Sequence, residues 1–363
     1  MSTQLDSPEV LPRRRTILTG LIIAIALSVA TILVVLFLTM DRSTWSAVAN
    51  ITPLLVLAAI GLLVAKWVCH VARTKLLLRA SGHELATWST TKAMLGGTFT
   101  GAVTPFLAAE IPVEIYFLHG YGIGAAPATA VVTVGSTMST PLFVIVMPVV
   151  LLTAAARVHL QVGLRAILIV AGVAALVLLV IVLLSMRDPE RMIALVERRA
   201  SGFLKRRDWF KRGTEAFFRA VASFSASLRT ILGFSKGVLA LAGLLTLLLW
   251  TTVIFIPGLM LWGLGYRHLF WQAVLAQMVV SYLLRFSPTP GQSGVAEATF
   301  AGVYAAFVPA HLVGALALLW RFFSFYLALA VMGVAFVLAS RDSLRAARAK
   351  PQPEPVADVV ESE

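Results

Sequence analysis

Charge is what this sequence most lacks. Only 13% of its 363 residues are Asp, Glu, Lys or Arg, against 59% hydrophobic residues and a mean hydropathy of +0.89. A soluble globule of this length carries close to twice that charge, so a soluble fold is excluded. Cysteine is nearly missing: Cys69 stands alone in an apolar run, which excludes an intramolecular disulfide and any CxxC redox or metal motif. There is no GxxxxGK[ST] loop for ATP, no HExxH, no Asp-x-Asp, and no GxSxG in a strand-turn-helix setting. The apolar interior contains no aspartate, and His70, His83, His119, His159, His268 and His311 are scattered without ligand spacing. These absences predict no catalytic residue, no metal and no cofactor.

What is there is hydrophobic length. Several apolar runs exceed the 18 or so residues needed to cross a bilayer core, and none shows the short alternating pattern of a membrane barrel. The expected spans are 17–40, 52–74, 127–155, 163–186, 237–263 and 311–339. The first follows Arg13, Arg14 and Arg15; it is too long for a signal peptide and lacks a small-residue cleavage site, so it is read as retained. Residues 187–236 carry twelve Lys/Arg against five Asp/Glu, with apolar residues at helical spacing, as in amphipathic helices on anionic lipid. The net charge of +13 is read in the same way, as lipid contact and not nucleic-acid binding. The segment 341–363 ends in a Pro- and acid-rich stretch expected to be mostly disordered.

Two further apolar stretches, 88–119 and 270–307, are broken by proline and glycine. The Lys/Arg distribution alternates between the two sides only if both return to the face they entered. The expected fold is therefore an all-α polytopic membrane protein: six full transmembrane helices plus two re-entrant or broken helical hairpins, both termini cytoplasmic. Span 52–74, hairpin 88–119 and span 127–155 make one trio. Span 237–263, hairpin 270–307 and span 311–339 make another, upside down, so the whole reads as an inverted repeat.

The hairpin tips share a dipeptide, Thr104-Pro105 and Thr289-Pro290, each followed by a glutamate, Glu110 and Glu297. Pro288 and Pro290 end the incoming half-helix, and Gly291 and Gly294 permit the turn. Irregular backbone at membrane depth must be buried in protein or line a wet cavity, and the helix starting after it offers amides to an anion. Intramembrane charges cost roughly 3 kcal/mol each on insertion scales and mark function. Arg285 and Arg321 are predicted to hold a phosphate, with Glu110 and Glu297 binding a cationic head or exchanging protons. Pairing of Glu297 with Arg285 or Arg321, merely to lock the hairpin, is the bland alternative. Lys92, Glu114, Gln277 and Ser281 are secondary candidates. Lys66 is read as snorkelling to the interface, and Gly96, Gly97 and Gly101 as a face for close helix packing.

"TPFLAAEIPVEIYFLHGYG" (104–122) and "PTPGQSGVAEATF" (288–300) resemble the two signatures of the lysylphosphatidylglycerol synthase transmembrane-region family. The likeness spans roughly 15–340. Ala108 and Ala109 stand where the family has paired glycines, Ile111 precedes Pro112, and Gln292 replaces a glycine. By position, Thr104, Pro105 and Glu110 match the first motif, and Pro288, Pro290, Gly291, Gly294 and Glu297 the second. The resemblance implies a flippase-like domain, here 17–340 after a cytoplasmic segment 1–16, moving a polar-headed, phosphate-containing lipid between leaflets of a bacterial plasma membrane. In the multiple peptide resistance factor this domain is fused to an aminoacyl-transferase; with 23 residues after residue 340, a stand-alone form is expected. A membrane-embedded transferase on a lipid or polyprenyl-phosphate substrate, or an envelope-biogenesis accessory protein, are the alternatives.

Overall fold

The computed structural model describes Ile22, Ala26 and residues 52–157, 162–187 and 233–349. Apart from Ile22 and Ala26, both helical, the expected span 17–40 lies outside the described residues, as do nearly all of 187–236 and the tail beyond 349. Among the described residues the fold is all helical, without strands.

The first part comprises α1 (Pro53–Ala80), α2 (Thr87–Ala102) and α3 (Glu110–Gly120). Then α4 (Ala125–Thr137) runs through a five-residue π-helical stretch, Leu142–Val146, into α5 (Met147–Arg157), and α6 covers Val162–Arg187. The second part comprises α7 (Lys236–Gly263), α8 (Phe270–Leu284) and α9 (Val295–Tyr304). It closes with α10 (Ala310–Arg321), a second π-helical stretch, Phe322–Tyr326, and α11 (Leu327–Ala349). Lipid cannot satisfy backbone groups, so long apolar runs fold as helices.

Among the described residues, three stretches are long and apolar enough to cross a membrane: Pro53–Ala80, Lys236–Gly263 and Ala310–Arg345. Met147–Ala156 and Val162–Val177 are shorter apolar helices. The run expected as one span over 127–155 is divided, because Pro141 has no amide to donate and the ladder shifts to π spacing just after it. Helix α1 outruns its expected end at 74 and stops at Ala80, where Gly82 takes φ +77° and His83 N–H donates to the Leu78 carbonyl, a Schellman end. The last helix continues through Ala349, into the segment expected to be tail.

Helices α1 and α7 pack along each other's length, and α2–α3 and α8–α9 each fold back as hairpins. Leu54, Leu57, Val64, Leu241, Leu244 and Leu248 point outward, an apolar exterior suited to lipid. The hairpin tips repeat one backbone shape: Phe106 and Leu107 have φ +55° and +56°, and Gly291 and Gln292 have +59° and +58°. The tips touch: a Cβ on Gly291 would lie 3.0 Å from the Ala102 carbonyl oxygen and 2.6 Å from the Phe325 ring.

Close approach of α2 and α3 depends on glycine. A Cβ on Gly97 would sit 2.8 Å from both the Glu110 carbonyl oxygen and the Glu114 Cβ, and one on Gly101 2.8 Å from the Glu110 Cβ. Gly97→Leu should therefore lower stability by about 1–3 kcal/mol, the usual cost of overpacking. Gly61→Leu, into open space on α1, should leave the melting temperature in detergent unchanged; equal melting of the two variants would contradict this packing.

Candidate functional site

The second tip is closed on itself. Glu297 is fully buried, and its Oε2 accepts the Gly294 N–H at 2.6 Å, so the start of α9 is capped by its own side chain. Its Oε1 lies 2.7 Å from Arg321 Nε. Arg321 Nη2 donates to the Gly291 carbonyl at 2.7 Å and to Ser293 Oγ at 3.0 Å, and the guanidinium lies 4.0 Å from the Phe325 ring centroid. Thr289 Oγ1 donates to the Ser293 carbonyl and Gln292 Nε2 to the Leu284 carbonyl. Of the two arginines expected near Glu297, the structure selects Arg321. It ties the tip, the start of α9 and the end of α10 into one unit.

The first tip is built differently. Thr104 Oγ1 donates to the Thr100 carbonyl at 2.8 Å and accepts the Ala109 N–H at 3.3 Å, while Pro105 to Ala108 are exposed. Glu110 is half-buried, and its one hydrogen bond among the described residues is a long one, 3.4 Å from Thr98 Oγ1. The residue just before each π-helical stretch is Arg321 in the second part and Pro141 in the first. No matching arginine therefore reaches Glu110. The cations acting on it through space come from elsewhere: Lys66 above all, then Arg285 and Arg73.

Lys66, His70 and Arg73 fall at i, i+4 and i+7 and share one face of α1. Glu110 and Glu114 share a face of α3 in the same way, and Arg73 acts on buried Glu114. Arg285, exposed at the end of α8, stacks 4.0 Å from the Phe143 ring centroid and 5.1 Å from that of Trp250, so it reaches across to the first part. Five charged side chains from three separate elements thus act on one another through space: exposed at Arg285, half-buried at Lys66 and Glu110, buried at Arg73 and Glu114. Three cations face two carboxylates. Such a set can hold a group with both a negative and a positive end.

The other predicted residues divide. Pro288 is exposed and Pro290 half-buried at the second tip, with Gly291 and Gly294 shaping its turn. Gln277 and Ser281 are buried; Gln277 accepts from Tyr304 Oη at 3.3 Å and its amide donates to Ser281 Oγ at 3.4 Å. Lys92 is not in the charged set: it pairs with Asp342 of α11, which also accepts from Tyr121 Oη at 3.1 Å. Sequence reasoning missed the α1 stripe. Lys66 lies 14 residues from Ala80, about 21 Å at 1.5 Å per residue, and is half-buried. The signal was the 66–70–73 spacing itself.

The model of the lysylphosphatidylglycerol synthase transmembrane region matches residues 21–331. A "UPF0104 membrane protein" of Archaeoglobus fulgidus is 25% identical over 305 residues, covering 84% of this chain and 92% of the relative. No solved structure matches.

Removing one partner of a buried ion pair strands the other, at about 3–5 kcal/mol. Glu297→Ala should therefore strongly lower the thermal midpoint of the purified protein, whereas Glu110→Gln should cost no more than about 1 kcal/mol of stability and leave the midpoint close to wild type, since it breaks no buried ion pair. A Glu110→Gln protein as unstable as Glu297→Ala would show that both tips are locked alike.

Proposed function

Because the chain belongs to the lysylphosphatidylglycerol synthase transmembrane-region family, we propose that this integral membrane protein moves a polar-headed, phosphate-containing lipid between leaflets. The two trios, α1 with α2–α3 and α4–α5, and α7 with α8–α9 and α10–α11, are the halves of an inverted repeat. Their hairpins are re-entrant, six full spans surround them, and both termini are cytoplasmic. Each half offering a long helix, a Thr-Pro hairpin and a helix with a π-helical stretch supports this reading.

One observation carries it. The second glutamate is consumed by a fixed clamp, whereas the first stands among cations that other elements supply. Intramembrane charge without a dedicated partner is costly and marks a ligand path. Arg285 and Lys66 take the phosphate, Arg285 through the fork geometry that suits phosphate oxygens. Glu110 takes a cationic head when the lipid has one. The acyl tails stay in the bilayer. Arg321 holds the scaffold instead of the phosphate, and the protein is a transporter, not an enzyme.

The test is leaflet exchange of a headgroup-labelled phosphatidylglycerol in liposomes. Wild-type protein should accelerate exchange over protein-free vesicles. Glu110→Gln and Lys66→Gln should each reduce the gain at least tenfold, with insertion and melting preserved. Wild-type exchange by Glu110→Gln would remove that carboxylate from the path. Chemical conversion of the lipid by the purified protein would replace transport with catalysis.

A further inference from the structure

A cavity of about 340 Å³ lies at the turn between α1 and α2, outside the charged set, lined by Lys75, Arg79, Glu84, Leu85, Ala86 and Thr87. Its charges do not balance. Arg79 Nε meets Glu84 at 3.3 Å, whereas Lys75 Nζ donates to Thr87 Oγ1 at 2.5 Å and has no anionic partner among the described residues. Two cations thus stand against one carboxylate. Arg79, Glu84 and Thr87 are exposed, so the cavity is open at the surface.

The end of α11 lies close to this cavity. A Cβ on Gly333 of α11 would stand 3.2 Å from the Phe99 ring of α2, and one on Gly96 of α2 3.5 Å from the Phe336 Cα, so the two helices run antiparallel. Twelve residues back from Phe99 stands Thr87, and twelve on from Gly333 stands Arg345, so these two are level. Ala349, where α11 ends, is four residues farther, about 6 Å along the axis. Lys92 faces Asp342 of α11. Thr87, five positions earlier on α2, points about 140° away from it, so the cavity lies across the first turn of α2 from α11. Beyond Ala349, residues 351–363 include Glu354, Asp358, Glu361 and Glu363 and no Lys or Arg. A Pro-rich chain extends by about 3.1 Å per residue, so the nine residues from Ala349 to Asp358 reach roughly 28 Å, over twice the width of the helix to be crossed.

We propose that the acidic segment 351–363 of this same chain docks in the cavity between α1 and α2, its carboxylates meeting Lys75 and Arg79. The segment carries four carboxylates and no cation, and the cavity has one cation to spare. Apolar groups match as well: Val356, Val359 and Val360 stand among the carboxylates, and Leu85 and Ala86 beside the cations. Arg345, exposed and level with Thr87, adds positive potential along the path. Exposed ion pairs are individually weak, but a tethered segment meets its site at an effective concentration on the order of millimolar, so a few such pairs hold it. Docked, the segment ties the end of α11 over the start of α2 to α1, the helix that bears Lys66, His70 and Arg73. This docking needs no assumption about what the protein moves.

The experiment treats the full-length protein in phosphatidylcholine liposomes with a zero-length carbodiimide, which joins an amine to a carboxylate in contact with it, followed by peptide mapping. Asp358, Glu361 or Glu363 should link to Lys75 at least tenfold more than to Lys236, an exposed lysine at the start of α7. The link of Lys92 to Asp342 is the internal reference. Arg79→Gln, which leaves Lys75 in place, and about 0.5 M NaCl, which screens exposed charges, should each lower the Lys75 link at least threefold and spare the reference. No link to Lys75, equal links to Lys75 and Lys236, or a Lys75 link insensitive to both changes overturns the proposal. In a mixture with isotope-labelled protein, linked peptides should be all light or all heavy; mixed pairs would put the segment on a neighbouring copy and overturn docking within one chain. Loss of the Lys75 link in phosphatidylglycerol liposomes, with the reference kept, would give the cavity to anionic headgroups and overturn it as well.

Discussion

The ion pair between Glu297 and Arg321 is the contact on which the arrangement of the tips depends. Both residues are almost wholly buried and the two join at 2.7 Å. Each also holds backbone: Glu297 the Gly294 amide, Arg321 the Gly291 carbonyl. Alone, either charge would be prohibitive in this setting. Together they satisfy an irregular turn that lipid could not. Gly291, so fixed, is the surface against which the end of α2 rests, so the clamp in the second part also positions the first tip.

From that follows a division of labour. Matching Thr-Pro turns with matching backbone angles are completed in two ways. The second has its arginine on the next helix; the first has Pro141 at that place and borrows cations from α1 and α8. A pair closed on itself gives rigidity. The other is a set assembled from separate elements, exposed at Arg285 and buried at Arg73. The ion pair of Lys92 with Asp342 belongs with the first kind: it fastens α2 to α11 and is no part of the open set.

The frame was legible because proline, glycine and charge are conspicuous in an apolar chain. Thr104-Pro105 and Thr289-Pro290 mark both tips, and the ends of α7 fall at the expected residues. Glu110 and Glu297 were identifiable from the cost of burying them, but their different fates were not. Whether Arg285 or Arg321 meets Glu297 is set by the path of α10 after Pro309, a tertiary matter with no local sequence signature. Lys66, His70 and Arg73 were hidden for another reason. Lys66 singly reads as a snorkelling lysine and His70 as a stray histidine. All three already fell inside the expected span 52–74, and it is the packing of α1 beside the α2–α3 hairpin that turns their shared face toward the carboxylates.

The π-helical stretch at Phe322–Tyr326 carries a consequence for the angular phase of the chain. It accommodates one more residue than an α-helical turn would, and each residue of an α-helix rotates the next by about 100°. Arg321 just before it and Asp342 well after it both meet partners, on α9 and α2 respectively. Both attachments are made by one continuous rod with the added residue between them. The stretch works as a fixed rotational offset, letting one continuous rod serve two differently aimed attachments.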